Sequence, residues 1–179
     1  MRPAGRRPLA AALTGLAVLA GSLAPGGAQP PGAPVPPTPA APAAPAPPAP
    51  PGPRPGTAAP GEVVRELQVA LAQGIRRFEA KDLAGVLAGV SEQYWTGPLT
   101  KATLRAQLLG VFQVYQQVRA RIRLDEVRLV DGHAWVYSTG EIAGQLPVVG
   151  QWMSLFWWER ELEVARREGG QWRLYGYQQ

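Results

Sequence analysis

The folded part of the chain begins with apolar residues that recur every three or four positions. Across residues 63–78 this spacing is kept by Val64, Leu67, Leu71, Ile75 and Phe78. Such spacing places side chains on one face of an α-helix. Two shorter stretches of the same kind follow, and Asp82 and Thr100 stand where their N-caps belong. The pattern therefore predicts three amphipathic helices.

After Gln117 the pattern changes from helical to alternating. Apolar and polar residues alternate over 118–124, which is typical of a β-strand with one buried face. The phase slips at Asp125, which predicts a β-bulge, and Asp131-Gly132 predicts a tight hairpin turn. Further alternating segments between residues 133 and 177 complete a meander of about four strands. Three helices followed by antiparallel strands predict an α+β domain with its helices packed on a curved sheet.

The first sixty residues have a different composition, with no aromatic residue and most of the proline. Three arginines precede an uncharged run rich in Leu and Ala and then small residues ending at Ala28, the order of a secretory signal peptide. We predict a signal peptide over 1–28, a disordered Pro/Ala-rich linker over 29–61 and one domain over 62–179. The protein is expected to be exported to the periplasm, cell envelope or medium. Membrane association is expected only if the apolar run is retained as an anchor.

Charge and composition exclude several kinds of site. No acidic residue precedes Glu62, whereas four arginines do, so the net charge of +5 belongs mainly to the N-terminal segment. The domain is thus close to neutral, and nucleic-acid binding through a broad basic surface is not predicted. The chain has no cysteine, and its one histidine, His133, flanks the hairpin turn. We therefore predict no disulfide, no metal site and no cofactor.

Three short motifs resemble those of the NTF2-like (SnoaL-like) superfamily. They are Phe-Glu-Ala-Lys-Asp-Leu at 78–83, Asp-Gly-His-Ala-Trp-Val at 131–136 and Glu-Gly-Gly-Gln-Trp-Arg-Leu at 168–174. Together with the order of the elements, the resemblance covers residues 62–179. It implies a sheet curved around a long first helix, forming a cone with a pocket inside. It implies a shared fold and not one shared activity.

The strand pattern near the C-terminus suggests which side chains face the pocket. Glu161 and Glu163 are expected to face water, which turns the even-numbered residues inward. These are Trp152, Ser154, Phe156, Trp158, Arg160, Leu162 and Val164. An inward arginine needs a carboxylate or an anionic ligand, and the alternative is an arginine at the rim. This pattern makes Trp158 and Arg160 candidate pocket residues. The resemblance to NTF2-like domains implies three more, Tyr94, Trp95 and Gln178, and Tyr115 at the end of the third helix is a further candidate.

Two further predictions concern catalysis and assembly. Asp82 is the candidate acid or base, and its alternative role is the helix cap. Trp135, Tyr137 and Trp157 fall on the outward parity, which predicts an apolar face and a homodimer. We favour a non-catalytic binding module whose aromatic-lined pocket holds an apolar or weakly anionic small molecule. The alternatives are a small SnoaL-like enzyme (isomerase, dehydratase or hydrolase) and a protein-docking domain of the cell envelope.

Overall fold

The structure, a computed structural model, describes residues 54–177. The predicted signal peptide, most of the predicted linker and Gln178 lie outside the described residues. The three helices of the described part are α1 (Gly61–Glu79), α2 (Leu83–Ala88) and α3 (Lys101–Val114). Its strands are β1 (Thr57–Ala58), β2 (Trp95–Thr96), β3 (Leu99–Thr100), β4 (Gln117–Val130), β5 (His133–Gln145), β6 (Trp152–Glu168) and β7 (Gln171–Leu174).

Both predicted helix caps are confirmed. The Asp82 carboxylate accepts a hydrogen bond from the Gly85 amide at 2.8 Å, which satisfies a donor in the first turn of α2. At the start of α3, the side chains of Thr100 and Thr103 each accept from the other's backbone amide, a capping box. These caps fix where α2 and α3 begin, and so fix how the helices meet the sheet.

The main sheet is antiparallel, with five strands in the order β1-β4-β5-β6-β7, while β2 and β3 form a separate two-stranded ribbon. The predicted bulge in β4 is confirmed by a register shift between Leu124 and Glu126. The predicted α+β architecture, with helices packed on a curved sheet, is also confirmed. One boundary differs from the prediction. Thr57 and Ala58 pair with β4 inside the segment expected to be linker, so ordered structure begins before residue 62.

The helices and the inner face of the sheet share two groups of buried residues. The larger group joins all three helices to the part of the sheet formed by the start of β4, the end of β5 and the start of β6. Trp158 and Leu104 are among its most buried members. The smaller group lies under the first turns of α1, around Leu67 and Ala165. Backbone hydrogen bonds from Ser91 to Leu174 and from Leu174 to Gly89 tie α2 to β7. These contacts hold the helices over the inner sheet face.

The outer sheet face differs from the prediction of an open aromatic patch. Trp135 packs edge-on against Tyr177, with ring centroids 5.7 Å apart, and Tyr137 is buried. Tyr175 likewise packs against the His133 ring, with the two planes tilted, and lies beneath the Arg166 guanidinium. Tyr175 and Tyr177 therefore share this face with Trp135, and Trp157 is the one predicted face residue left largely exposed, at 69%. The homodimer stays a prediction.

Candidate functional site

A cavity of about 180 Å³ lies between the helices and the inner face of the sheet. Its wall is almost entirely aliphatic, and the helices contribute Leu67, Ala70, Leu71, Gly74, Ile75, Phe78, Val86, Leu104 and Leu108. The strands contribute Ala120, Ile122, Leu124, Val136, Ser138, Ile142, Glu163, Ala165, Trp172, Arg173 and Leu174. Phe78 and Trp172 are the aromatic residues of this wall, so it is less aromatic than the sequence suggested.

Glu163 is the carboxyl group of this wall. It lies on β6 opposite Val136, and only 4% of it is exposed. Burial among aliphatic side chains lowers the local dielectric and so strengthens any hydrogen bond that this carboxyl group makes. This site can therefore recognise a polar atom on an otherwise apolar ligand.

The inward position of Glu163 corrects the prediction for β6, and a bulge explains the correction. The register with β5 shifts between Ser138 and Gly140, and Arg160 occupies a left-handed backbone conformation with φ of 50°. One extra residue in a strand reverses the side-chain parity beyond it. Glu163 therefore faces the cavity, whereas Leu162 and Val164, opposite Tyr137 and Trp135, lie on the outer side.

The sequence did carry a signal for this bulge. Glu159, Arg160 and Glu161 are three consecutive charged residues, and strict alternation necessarily turns at least one of them inward. A bulge is one way for a strand to keep such a run close to solvent. Alternation continued through this run without a break predicts Glu163 on the outer side, and the bulge makes that prediction wrong.

Two polar groups hold neighbouring parts of the wall in place. The indole N–H of Trp158 donates to Ser138 Oγ at 3.1 Å, and its ring stacks on Phe156. Trp172 donates from Nε1 to Glu66 Oε2 at 2.8 Å, and the Arg167 guanidinium lies over its ring. Both tryptophans are thereby fixed in orientation, and the cavity wall is preorganised.

The other candidate pocket residues lie elsewhere in the described structure. Trp158 faces inward but packs within the core, and Tyr94 is buried in the same group. Tyr115 packs at the edge of that group, and Trp95 is exposed on β2. None of these four lines the cavity as the structure describes it.

Arg160 and Asp82 are also outside the cavity. The exposed Arg160 guanidinium lies 3.6 Å from Glu126 on the neighbouring part of β4, so its predicted inward orientation is wrong because of the bulge. The Asp82 carboxylate is engaged as the cap of α2. Within residues 54–177 no group of three or more His, Asp or Glu residues is placed to hold a metal ion. No helix of that range has the length and apolar character needed to cross a membrane.

No protein-family model and no curated protein sequence matches the chain. Solved structures do resemble it. A conserved protein from Planctomyces limnophilus DSM 3776 aligns at 13% identity and a TM-score of 0.54, over 64% of this chain and 92% of that one. The protein Aln2 from a Streptomyces species aligns at 14% identity and a TM-score of 0.53, over 67% of this chain and 90% of that one.

A third similar structure comes from a protein whose family is known, and it identifies the fold. It is a protein of the NTF2-like family from Streptomyces avermitilis, itself described as a proposed dehydratase. It aligns at 13% identity and a TM-score of 0.52, over 66% of this chain and 95% of that one. The domain described here therefore has the NTF2-like fold, as the three sequence motifs predicted. Identities this low establish the fold and leave the activity to the chemistry of the cavity.

Proposed function

We propose that the domain binds a small, neutral, largely apolar molecule in the cavity and that Glu163 hydrogen-bonds its polar group. The observation that carries this proposal is one buried carboxyl group in a wall that is mostly aliphatic. An anionic ligand, which the sequence left open, is disfavoured because it would place a second negative charge beside Glu163, while the cation of the wall, Arg173, lies 3.6 Å from Glu168. The proposed ligand is accordingly neutral and carries a hydrogen-bond donor.

The volume of the cavity limits the size of this ligand. An apolar protein cavity of about 150 Å³ stays dry and accepts benzene. The cavity here has about 180 Å³, so it suits a single ring or a short branched chain. Its binding energy would come chiefly from apolar surface removed from water, and Glu163 would supply orientation and specificity.

A small enzyme is the second candidate, because a carboxyl group in an apolar cavity is a recurrent arrangement for proton transfer. Binding without chemistry remains the first proposal. The wall of the cavity, among the residues described, contains Glu163 but no histidine, tyrosine, lysine or second carboxyl side chain to share a proton-transfer step. If the domain is an enzyme, Glu163→Gln should abolish conversion of its substrate but leave substrate binding in place.

Two helix glycines provide a matched test of the cavity. Gly74 lies in the wall, and a Cβ there would meet no atom within 4 Å; the same is true of Gly110 in α3, which is outside the wall. Both Gly→Leu changes improve helix propensity, but only Gly74→Leu places a side chain in the cavity. We expect phenol and benzene to raise the melting temperature of the wild type and of Gly110→Leu, and to leave Gly74→Leu unchanged. Equal stabilisation of both variants would show that the probes bind elsewhere.

Glu163→Gln then tests the polar contact with the same two probes. Benzene offers no hydrogen-bond donor, so its affinity should change little. Phenol donates one hydrogen bond, and the loss of a charge-assisted bond should weaken its binding by about tenfold or more. Calorimetric titration measures both affinities. An equal change for phenol and benzene would assign Glu163 a structural role only.

A further inference from the structure

The turn between β5 and β6 lies within a long segment without charge. From Ile142 to Trp158 there is no Asp, Glu, Lys, Arg or His. We call this segment the hairpin end. It carries apolar side chains on its surface: Val148 is 94% exposed, Val149 66% and Trp157 69%, and Met153 is also exposed. Apolar groups gathered at one end of a molecule, and not scattered singly, indicate a contact surface.

One cation accompanies this apolar surface. In the four rows of the sheet next to the turn, which comprise residues 117–120, 142–145 and 152–156, Arg119 is the one charged side chain. Its guanidinium lies 4.3 Å from the ring centroid of Trp152. Arg121 and Glu141 occupy the following row and face each other. The hairpin end is therefore apolar at its tip and cationic just behind it.

We propose that the hairpin end docks on the surface of a bilayer that contains anionic phospholipid. Aliphatic residues at a tip, tryptophans behind them and an arginine beside the tryptophans form the arrangement that membrane interfaces favour. Val148 and Val149 enter the boundary between headgroups and acyl chains, Trp152 lies at headgroup depth, and Arg119 pairs with a lipid phosphate. Trp157 pairs with Glu141, four rows of the sheet behind Trp152, and stays on the aqueous side of the headgroups. Insertion stays shallow, because the turn exposes backbone amides and carbonyls that hydrocarbon cannot satisfy.

The position of the valines favours a bilayer over a protein partner. The last paired residues of the hairpin are Gln145 and Trp152, so Val148 and Val149 project beyond the strands. A strand added along β6, or a second copy packed on the sheet face, would cover Trp157 but leave these valines in water. A flat lipid surface contacts them first, and its negative charge complements Arg119.

The absence of cysteine allows a local test on the full-length chain. Val148→Cys carries an environment-sensitive nitrobenzoxadiazole label, and the control is Val69→Cys, an exposed valine on α1. Vesicles are made of phosphatidylcholine with or without phosphatidylglycerol. Because the label reports only its own surroundings, membrane binding by the N-terminal segment does not contribute to it. We expect a blue shift and brighter emission at position 148, and none at 69, with phosphatidylglycerol vesicles.

A second variant tests the cation. Arg119→Gln in the Val148→Cys background should weaken binding to phosphatidylglycerol vesicles about fivefold, the effect of one cation near an anionic surface. A label at 148 that ignores all vesicles would overturn the proposal, as would equal responses at 148 and 69. A blue shift that grows with protein concentration without vesicles would also overturn it and would assign the hairpin end to contact between copies. Matching circular dichroism spectra show that the labelled proteins are folded.

Discussion

The two halves of β6 differ in chemistry and in the side of the sheet that each residue faces. Residues 152–158 contain no charge, whereas seven of the ten residues from 159 to 168 are charged. Just before the bulge, the even-numbered Phe156 and Trp158 point inward, and beyond it odd-numbered residues such as Glu163 do. A second register shift, between Ile142 and Ala143 of β5, reverses the parity nearer the turn, so Trp152 lies on the outer side beside Arg119, contrary to the alternation predicted from the sequence. The first half forms part of the exposed hairpin end and the second half supplies the polar group of the cavity.

A hydrogen-bonded link across the sheet holds this change of parity in place. Thr139 Oγ1 accepts from the Arg160 amide at 3.1 Å and donates to Asp125. Asp125 lies at the bulge of β4 and Arg160 at the bulge of β6, so both irregularities meet at one residue of β5. Aligned bulges bend neighbouring strands together. The curvature that opens the cavity and the inward turn of Glu163 therefore share one cause.

The largest expected effect on the free energy of unfolding distinguishes Trp158 from its neighbour Trp157. Trp158 is 2% exposed and donates to Ser138, whereas Trp157 is mostly exposed. Trp158→Ala should lower the free energy of unfolding by about 3–5 kcal/mol, since it leaves a large void in the core. Trp157→Ala should change it by less than about 1 kcal/mol. Urea denaturation measures both, and similar losses would show that the parity of the first half is misassigned.

The same two halves show how far sequence reasoning reached. The helices, their caps, the bulge at Asp125 and the fold were predictable because each leaves a local signal in spacing or capping chemistry. Trp158 was placed inward correctly because it precedes the bulge at Arg160. Glu163 was placed outward because a bulge of one residue erases the phase information that alternation carries. The sharing of the outer face by Tyr177 and Trp135 depends on contacts between strands, which alternation along one strand does not encode.

A smaller effect tests the backbone of the bulge itself. Arg160 has φ of 50°, where a Cβ is unfavourable by about 1–2 kcal/mol and glycine is tolerated. Arg160→Gly and Arg160→Ala both remove the ion pair with Glu126, so they differ only in backbone preference. In urea denaturation we expect the glycine variant to be more stable than the alanine variant by about 1 kcal/mol. This difference is the backbone strain that glycine relieves, reduced by the greater conformational entropy that glycine has in the unfolded chain. An alanine variant of equal or higher stability would show that the left-handed bulge is not kept in solution.

The smallest expected effect concerns pH and is confined to the charged half. The Ser91 hydroxyl donates to Glu168 Oε1 at 2.6 Å and Arg166 lies beside it, and together they hold the pKa of Glu168 below its usual value of 4.5. A carboxyl group whose pKa is lowered by folding stabilises the folded state above its unfolded pKa and loses that contribution as pH falls through the folded pKa. The stability advantage of the wild type over Glu168→Gln should therefore shrink as the pH is lowered below about 4.5.

Urea denaturation at a series of acid pH values measures that difference between wild type and Glu168→Gln. Ser91→Ala removes the hydrogen bond that contributes most to the lowered pKa, so it should move the loss of stability to higher pH. The contribution is small because Glu168 is partly exposed and its arginine contacts are screened by salt. A difference between wild type and Glu168→Gln that stays constant down to acid pH would contradict the assignment. In that case Glu168 would not contribute to the stability of the domain, and the contribution of β6 would come from its uncharged half and from the bulge.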